Sequence, residues 1–158
     1  MPTTREPMIC LAAAPGGHLS KLLNLRPAYE PFPHFFVLNA HDGRTDGRLG
    51  RVHHVPDYGV GSRARRVVAI VRLIAASIRI FVVERPTVLL TTGPATGLAL
   101  AVLIRATGGR VVYVECSAQV TVPSLSGRAF HRLADRFYVQ WPSLLPHYPR
   151  AEYHGLLL

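Results

Sequence analysis

Cysteine is scarce in this chain: Cys10 and Cys116 are the only two in 158 residues. Both fall in apolar, strand-like runs, so they read as buried free thiols of a reducing cytosol, and a disulfide framework is excluded. No Cys/His set has zinc-ligand spacing, so no metal and no cofactor is expected. Acidic residues are half as many as basic ones, nine against 18, which gives a formal net charge of +9. Lysine is nearly missing, since Lys21 stands alone among 17 arginines. Arginine preference by itself says little, because GC-rich coding produces it. The sign of the charge says more and favours phosphate-bearing partners: nucleic acid, nucleotide-sugars, lipid phosphates or an anionic membrane face. No run reaches the roughly 18 uninterrupted apolar residues of a spanning helix. The nearest, Val67–Val83, is broken by Arg72 and Arg79. The start, MPTTREPMICLAAAP, has too short an apolar run for a signal peptide. The expected location is the cytosol or the cytoplasmic face of a membrane, held peripherally.

Apolar residues make up 49% of the chain and charged ones 17%, which excludes a disordered chain and supplies one sizeable core. Strand-like and helix-like runs alternate. Strands are expected at Met8–Ala13, Phe35–Asn39, Val52–Val55, Thr87–Thr91, Arg110–Glu115, Arg136–Gln140 and Glu152–Gly155. Helices are expected at His18–Tyr29, Ser62–Glu84 with Ser62 as N-cap, Ala95–Thr107 stopping at Gly108-Gly109, and Ser126–Ala134. Ala40–Gly50 reads as a loop, and Pro142–His147 as a short helical turn. This alternation implies one α/β domain over residues 1–158, Rossmann-like, with a mostly parallel sheet covered on both faces.

Open sheets of this kind bind ligands at the carboxyl ends of their strands. The first strand runs into Pro15-Gly16-Gly17-His18 and then a helix. Gly16 and Gly17 would let backbone N–H groups approach a phosphate, and the helix N-terminus favours negative charge. His18 would stand on the rim as base or phosphate donor, or would only cap the helix. The GxGxxG fingerprint is absent, which argues against a nicotinamide cofactor. Thr92 and Gly93, in the turn TTGPATG, share the rim either as phosphate or sugar contacts or as a plain strand-to-helix turn. Glu115 closes the fifth strand and either orients a sugar hydroxyl or the rim histidine, or pairs with an arginine or loop N–H groups. Ser117 and Ser124 belong to a serine- and threonine-bearing loop that is long for a strand-to-helix turn, and it is either a mobile ligand cover or a solvated connection.

The helix Ser62–Glu84 carries Arg65, Arg72 and Arg79 seven residues apart, on one face, with a wide apolar arc beside them. Two readings follow: an ordinary core helix with one solvated stripe, or a helix lying on anionic headgroups with its arginine stems snorkelling. A stand-alone nucleotide- or nucleic-acid-binding domain also accommodates the charge, although no nucleic-acid-binding module is present.

Several blocks together, GGHLSKLL, TTGPATG, YVEC, SLSGRAFHRLADRFYVQWP and YPRAEYHG, resemble the acceptor-side subunit of two-subunit GT-B glycosyltransferases. The family includes PssD-like polysaccharide biosynthesis proteins and the eukaryotic anchor of the dolichyl-diphosphate N-acetylglucosamine transferase. The resemblance spans Ile9 to Gly155 and implies the N-terminal half of a GT-B enzyme. By implication the polyprenyl-diphosphate-linked acceptor binds here, and a UDP-sugar is supplied by a separate donor-binding subunit that this chain brings to the membrane. No nucleic acid is implied. Residue by residue, the resemblance puts Gly16 and Gly17 at the acceptor diphosphate, His18 as the base and Glu115 beside it. Trp141, Tyr153 and Leu156 fall where the chain nears the partner, and Leu156-Leu157-Leu158 would dock on it or finish the last strand. This chain lacks the N-terminal membrane helix of the eukaryotic subunit, which shifts the expected attachment to the Ser62–Val83 helix. Alternatively the chain is a purely structural anchor with no catalytic residue.

Overall fold

The alternation of side chains along one strand sets up two cores. In the computed structural model, which describes residues 6–40, 49–57, 62–93 and 95–157, β1 (Ile9–Ala13) is buried at every position. Cys10 and Ala12 pack on one face of the sheet with Phe35, Val37, Leu89 and Val111. Ile9, Leu11 and Ala13 pack on the other with Leu22, Phe36, Leu38 and Leu90. Successive strand side chains point to opposite faces, so a strand that is apolar throughout must be covered on both.

The other strands are β2 (His34–Asn39), β3 (Val52–Val55), β4 (Val88–Thr91), β5 (Arg110–Val114), β6 (Arg136–Val139) and β7 (Ala151–Tyr153). They form one seven-stranded sheet in the order β3-β2-β1-β4-β5-β6-β7, and every neighbouring pair is parallel. The chain winds outward from β1 to β3, then returns to place β4 on the other side of β1. This reversal makes the carboxyl end of the β1/β4 pair the topological switch point, where open α/β sheets leave a crevice.

Most expected boundaries hold within one or two residues, and three differ for local reasons. The first helix is two, α1 (Gly17–Asn24) and α2 (Arg26–Tyr29). Pro27 lacks an N–H and its ring would collide with a carbonyl one turn back, so the chain breaks at Leu25, whose φ is −85° and ψ 7°. The helix after β4 opens with a 3-10 turn, Ala95–Gly97, before α4 (Leu98–Ala106). The last strand lies earlier than expected, at Ala151–Tyr153. Helix α5 (Leu125–Leu133) takes Ser124 as its N-cap. Most of the expected Ala40–Gly50 loop, residues 41–48, lies outside the described residues.

Helix α3 (Arg63–Glu84) is capped by Ser62, as its sequence implies. It ends at Arg85, whose φ of 49° is the left-handed stop that often precedes a proline, here Pro86. Only Leu73, Ser77 and Ile80 are buried. They are spaced four and three residues apart, a single narrow stripe. Val67, Val68, Ile70, Val71, Ile74, Ile78, Val82 and Val83 stay between 45% and 66% exposed. No described helix is long and apolar enough to cross a membrane.

Candidate functional site

The crevice at the switch point is closed by a reciprocal pair of hydrogen bonds. His18 Nδ1 lies 2.8 Å from the carbonyl oxygen of Thr92, and Thr92 Oγ1 donates to the carbonyl of His18 at 2.8 Å. The turn after β1 is thereby stitched to the turn after β4. Thr91 repeats the stitch one residue earlier, donating from Oγ1 to Ala12 O at 2.7 Å. A carbonyl only accepts, so Nδ1 must carry the proton of the bond. In a neutral imidazole that leaves Nε2 with the lone pair. Nε2 has no hydrogen-bond partner among the described residues. A half-buried histidine with its tautomer fixed by backbone is arranged to take a proton through Nε2.

Gly93 lets the rim close up. Its φ is 82°, and a Cβ there would come within 3.3 Å of Tyr113 Oη, 3.6 Å of His18 Cε1 and 3.7 Å of Ser126 Oγ. Gly93, in the turn after β4, thus marks the point where α1, β5 and α5 converge. Gly16 (φ 84°) is the N-cap of α1 with no side-chain cap bond, and it and Gly17 are exposed on the turn before His18. His18 is therefore the second residue of α1 and does not cap it.

Glu115 is 0% exposed, and its carboxylate is a junction. Tyr113 Oη donates to Oε2 at 2.6 Å, Ser124 N–H to Oε1 at 2.9 Å and Tyr148 Oη to Oε1 at 3.3 Å. Gln140 Nε2 donates to its backbone carbonyl at 2.8 Å. Three donors on one carboxylate offset its desolvation without an arginine. Of the two structural pairings open from sequence, loop N–H is found, and arginine takes no part in the rim network among the described residues. The carboxylate does not bond to His18, whose ring is oriented by Thr92 instead. Burial beside this carboxylate pushes the hydroxyls of Tyr113 and Tyr148 up, with Glu115's own charge as the next cause. The fit leaves no room for a side chain at Gly127, where a Cβ would meet Tyr148 Oη at 2.4 Å and the two Glu115 oxygens at 2.6 and 2.7 Å.

The loop between β5 and α5 is fastened down. Ser124 Oγ accepts from Gly127 N–H at 2.8 Å, capping α5, and lies 3.3 Å from Ser126 Oγ. Ser117 contributes its carbonyl, which accepts from Trp141 Nε1 at 2.7 Å. Outward, the loop and first turn of α5 carry exposed Val120, Val122 and Leu125. Cys116 is only half-buried here, whereas Cys10 is fully buried and burial pushes its thiol up, with Glu84 as the lesser cause.

The remaining sequence candidates separate. Arg65, Arg72 and Arg79 lie exposed along α3, away from the rim network. Tyr153 and Leu156 are exposed at the β7 edge, 41% and 39%. Trp141 is half-buried and turned toward the Ser117 loop. Leu157 folds back: its N–H donates to Gln140 Oε1 at 3.0 Å, and Lys21 Nζ bonds its carbonyl. Leu158 lies outside the described residues. No group of three His, Cys, Asp or Glu that could hold a metal ion occurs among the described residues.

Four participants were not singled out from sequence: Asn39, Tyr113, Gln140 and Tyr148. Asn39 ends β2 and its Oδ1 accepts from buried Thr96. Tyr113 offered one signal, since a tyrosine two residues before a strand-terminal carboxylate points to the same face. Tyr148 offered none, because only the tertiary fold brings it to Glu115.

The model of the Alg14-like oligosaccharide biosynthesis proteins matches residues 10–157. The chain belongs to that family. The UDP-N-acetylglucosamine transferase subunit ALG14 of Debaryomyces hansenii is 34% identical over 129 residues, covering 72% of this chain and 56% of that protein. ALG14 of Yarrowia lipolytica is 42% identical over 90 residues, covering 53% and 42%. The match thus spans about half the length of these curated relatives. Among solved structures, Acinetobacter baumannii MurG superposes with a TM-score of 0.69 at 14% identity, over 94% of this chain and 45% of MurG. The Neisseria meningitidis UDP-GlcNAc 2-epimerase gives 0.64 at 10% identity, over 95% and 47%. This member of the Alg14 family therefore has the fold of one half of a GT-B enzyme.

Proposed function

We propose that this chain is the acceptor-side subunit of a UDP-sugar-dependent glycosyltransferase in polysaccharide or lipid-linked oligosaccharide synthesis. In this reading it binds a polyprenyl-diphosphate-linked sugar and joins a separate subunit that binds the UDP-sugar. The observation that carries the proposal is His18, held by Thr92 at the switch point of a half GT-B fold in an Alg14-family chain. The acceptor hydroxyl oxygen attacks the anomeric carbon of the donor while the bond from that carbon to UDP breaks. The hydroxyl proton passes to His18 Nε2, and UDP leaves with the bonding electron pair. Gly16, Gly17 and the start of α1 present backbone N–H groups to the diphosphate. Glu115 acts through Tyr113 and Ser124 and positions the rim. Exposed Val120, Val122 and Leu125 suit the apolar chain of such an acceptor. Tyr153 and Leu156, at the β7 edge, face the donor-binding subunit.

Helix α3 supports peripheral contact with an anionic membrane on the cytoplasmic side. Its eight exposed aliphatic side chains stand beside Arg65, Arg72 and Arg79, and no acidic residue occurs before Glu84. Covering even half of that surface with lipid is worth on the order of several kcal/mol.

The test is reconstitution. The purified chain, the candidate donor-binding subunit and both together are assayed with a panel of UDP-sugars on polyprenyl-diphosphate acceptors. Transfer is expected only from the mixture. Full transfer by either chain alone would overturn the two-subunit reading.

A further inference from the structure

The loop of residues 115–124 joins β5 to α5 and is long for such a connection, where about 2–6 residues is usual. A loop of this length would ordinarily be mobile. Here its backbone is held by the segment that follows β6. Trp141 Nε1–H donates to Ser117 O at 2.7 Å, and Ser143 Oγ–H donates to Val120 O. Tyr148 Oη–H donates to the Glu115 carboxylate at 3.3 Å. A serine in the first turn of a helix usually bonds within its own turn. Ser143, in the 3-10 turn Pro142–His147, instead crosses to a residue 23 positions away. Tyr148 is 2% exposed and its ring is wedged against Phe137, with centroids 4.5 Å apart, and against His131 at 5.2 Å. The anchor end of the strap is therefore part of the core, while its far end reaches the loop.

We propose that Trp141, Ser143 and Tyr148 are positioning residues that strap the 115–124 loop onto the rim, next to the first turn of α5, where Ser126 stands beside Gly93. Ser126 Oγ lies beside Gly93, the N–H of Ser124 at the N-cap of the same helix is held on Glu115, and Tyr148 holds the same carboxylate. This gives the Trp-Pro segment a role directed at the acceptor loop, and Trp141 contributes its indole N–H to that role. Rigid placement of binding groups lowers the ordering cost of binding, so the strap should appear in acceptor affinity and not in the chemical step.

The test uses the full chain with Ser143→Ala and Trp141→Phe, singly and together, with Ser143→Thr as the variant that keeps the hydroxyl. Amide hydrogen exchange at residues 116–124 is expected to quicken roughly three- to tenfold for each lost bond, and Ser143→Thr to restore it. In the complex with the donor-binding subunit, acceptor KM is expected to rise by a similar factor while kcat and donor KM hold. Unchanged exchange in the double variant overturns the strap. A fall in kcat with both KM values unchanged, tracking a lower Tm, also overturns it and leaves a merely structural role. The kinetic arm rests on the acceptor-side reading above. Were the wild-type complex to transfer no sugar, that reading would fail while the exchange arm still decided the strap.

Discussion

The rim around Glu115 and the helix α3 are held by opposite means. At the rim, a buried carboxylate, a histidine and the serines of one loop are all engaged by named donors and acceptors. Along α3, Leu73, Ser77 and Ile80 are buried, Ala76 and Phe81 pack beside them and Glu84 pairs with Arg51 and His53 at the end, while the outward surface is largely exposed aliphatic side chains. A site that must place a proton acceptor needs the polar groups around it fixed, since buried unpaired groups are expensive. A surface that meets a fluid phase needs only area and charge, and it gains nothing from fixed partners. On the proposed function, the difference separates the part of the molecule that serves chemistry from the part that serves attachment.

Breaking the rim should loosen the loop it holds. Glu115→Gln replaces one oxygen of the junction with an NH2 group among three donors, so at least one donor loses its acceptor. The expected loss of stability is about 1–3 kcal/mol per orphaned group, read as a lower midpoint in denaturant. Gly127→Ala should cost about 1–3 kcal/mol by overpacking against Glu115 and Tyr148. If either variant melts like the wild type, the junction is not holding the loop.

Adjacent residues on α3 sharpen the contrast. Leu73→Ala removes a core side chain and should cost about 2–5 kcal/mol. Its neighbour Ile74 faces out, so Ile74→Ser should change stability by less than about 0.5 kcal/mol. Combined with Val71→Ser and Ile78→Ser, it should lower co-sedimentation with vesicles containing anionic phospholipid. Wild-type vesicle binding by the triple variant would remove α3 as the attachment surface.

The smallest expected effect is a pH dependence at the far end of the sheet. Burial raises the Asp135 carboxyl, but the Val111 N–H, Arg110 and Arg105 outweigh it, and the net shift is down. A depressed carboxyl contributes stability above its unfolded value, about 3.9, and that contribution is lost as pH falls through the lower folded value. Asp135→Asn should therefore be less stable than wild type at neutral pH and converge with it below about pH 4. A constant gap down to the acid limit would contradict the assignment.

Much of this contrast was legible in the sequence, though unevenly. Continuous apolar runs such as VLLTT and RVVYV identify buried parallel strands because both faces need apolar cover. The seven-residue recurrence of Arg65, Arg72 and Arg79 and the wide apolar arc of α3 are local patterns, and their exposure followed. His18 was found because the first strand-to-helix turn must lie on the rim. Its partner was not, since the bond runs to a backbone carbonyl 74 residues away, and carbonyls carry no sequence signature. The same holds for Trp141 on Ser117 and Ser143 on Val120. Pro27 was in plain view, yet the helical periodicity on either side of it hid the break at Leu25. Side-chain-to-backbone ties between distant elements are where reading residues in order stops being informative.

The most direct test of the account is the single-turnover rate of sugar transfer by the two-subunit complex carrying His18→Gln, at saturating donor and acceptor, with complex formation verified. A loss of about 10²- to 10⁴-fold is expected, the usual contribution of a general base, with the affinity between subunits unchanged. A rate within about twofold of wild type, too small for loss of a base, would contradict it and leave this chain as an anchor whose catalytic groups lie in the partner.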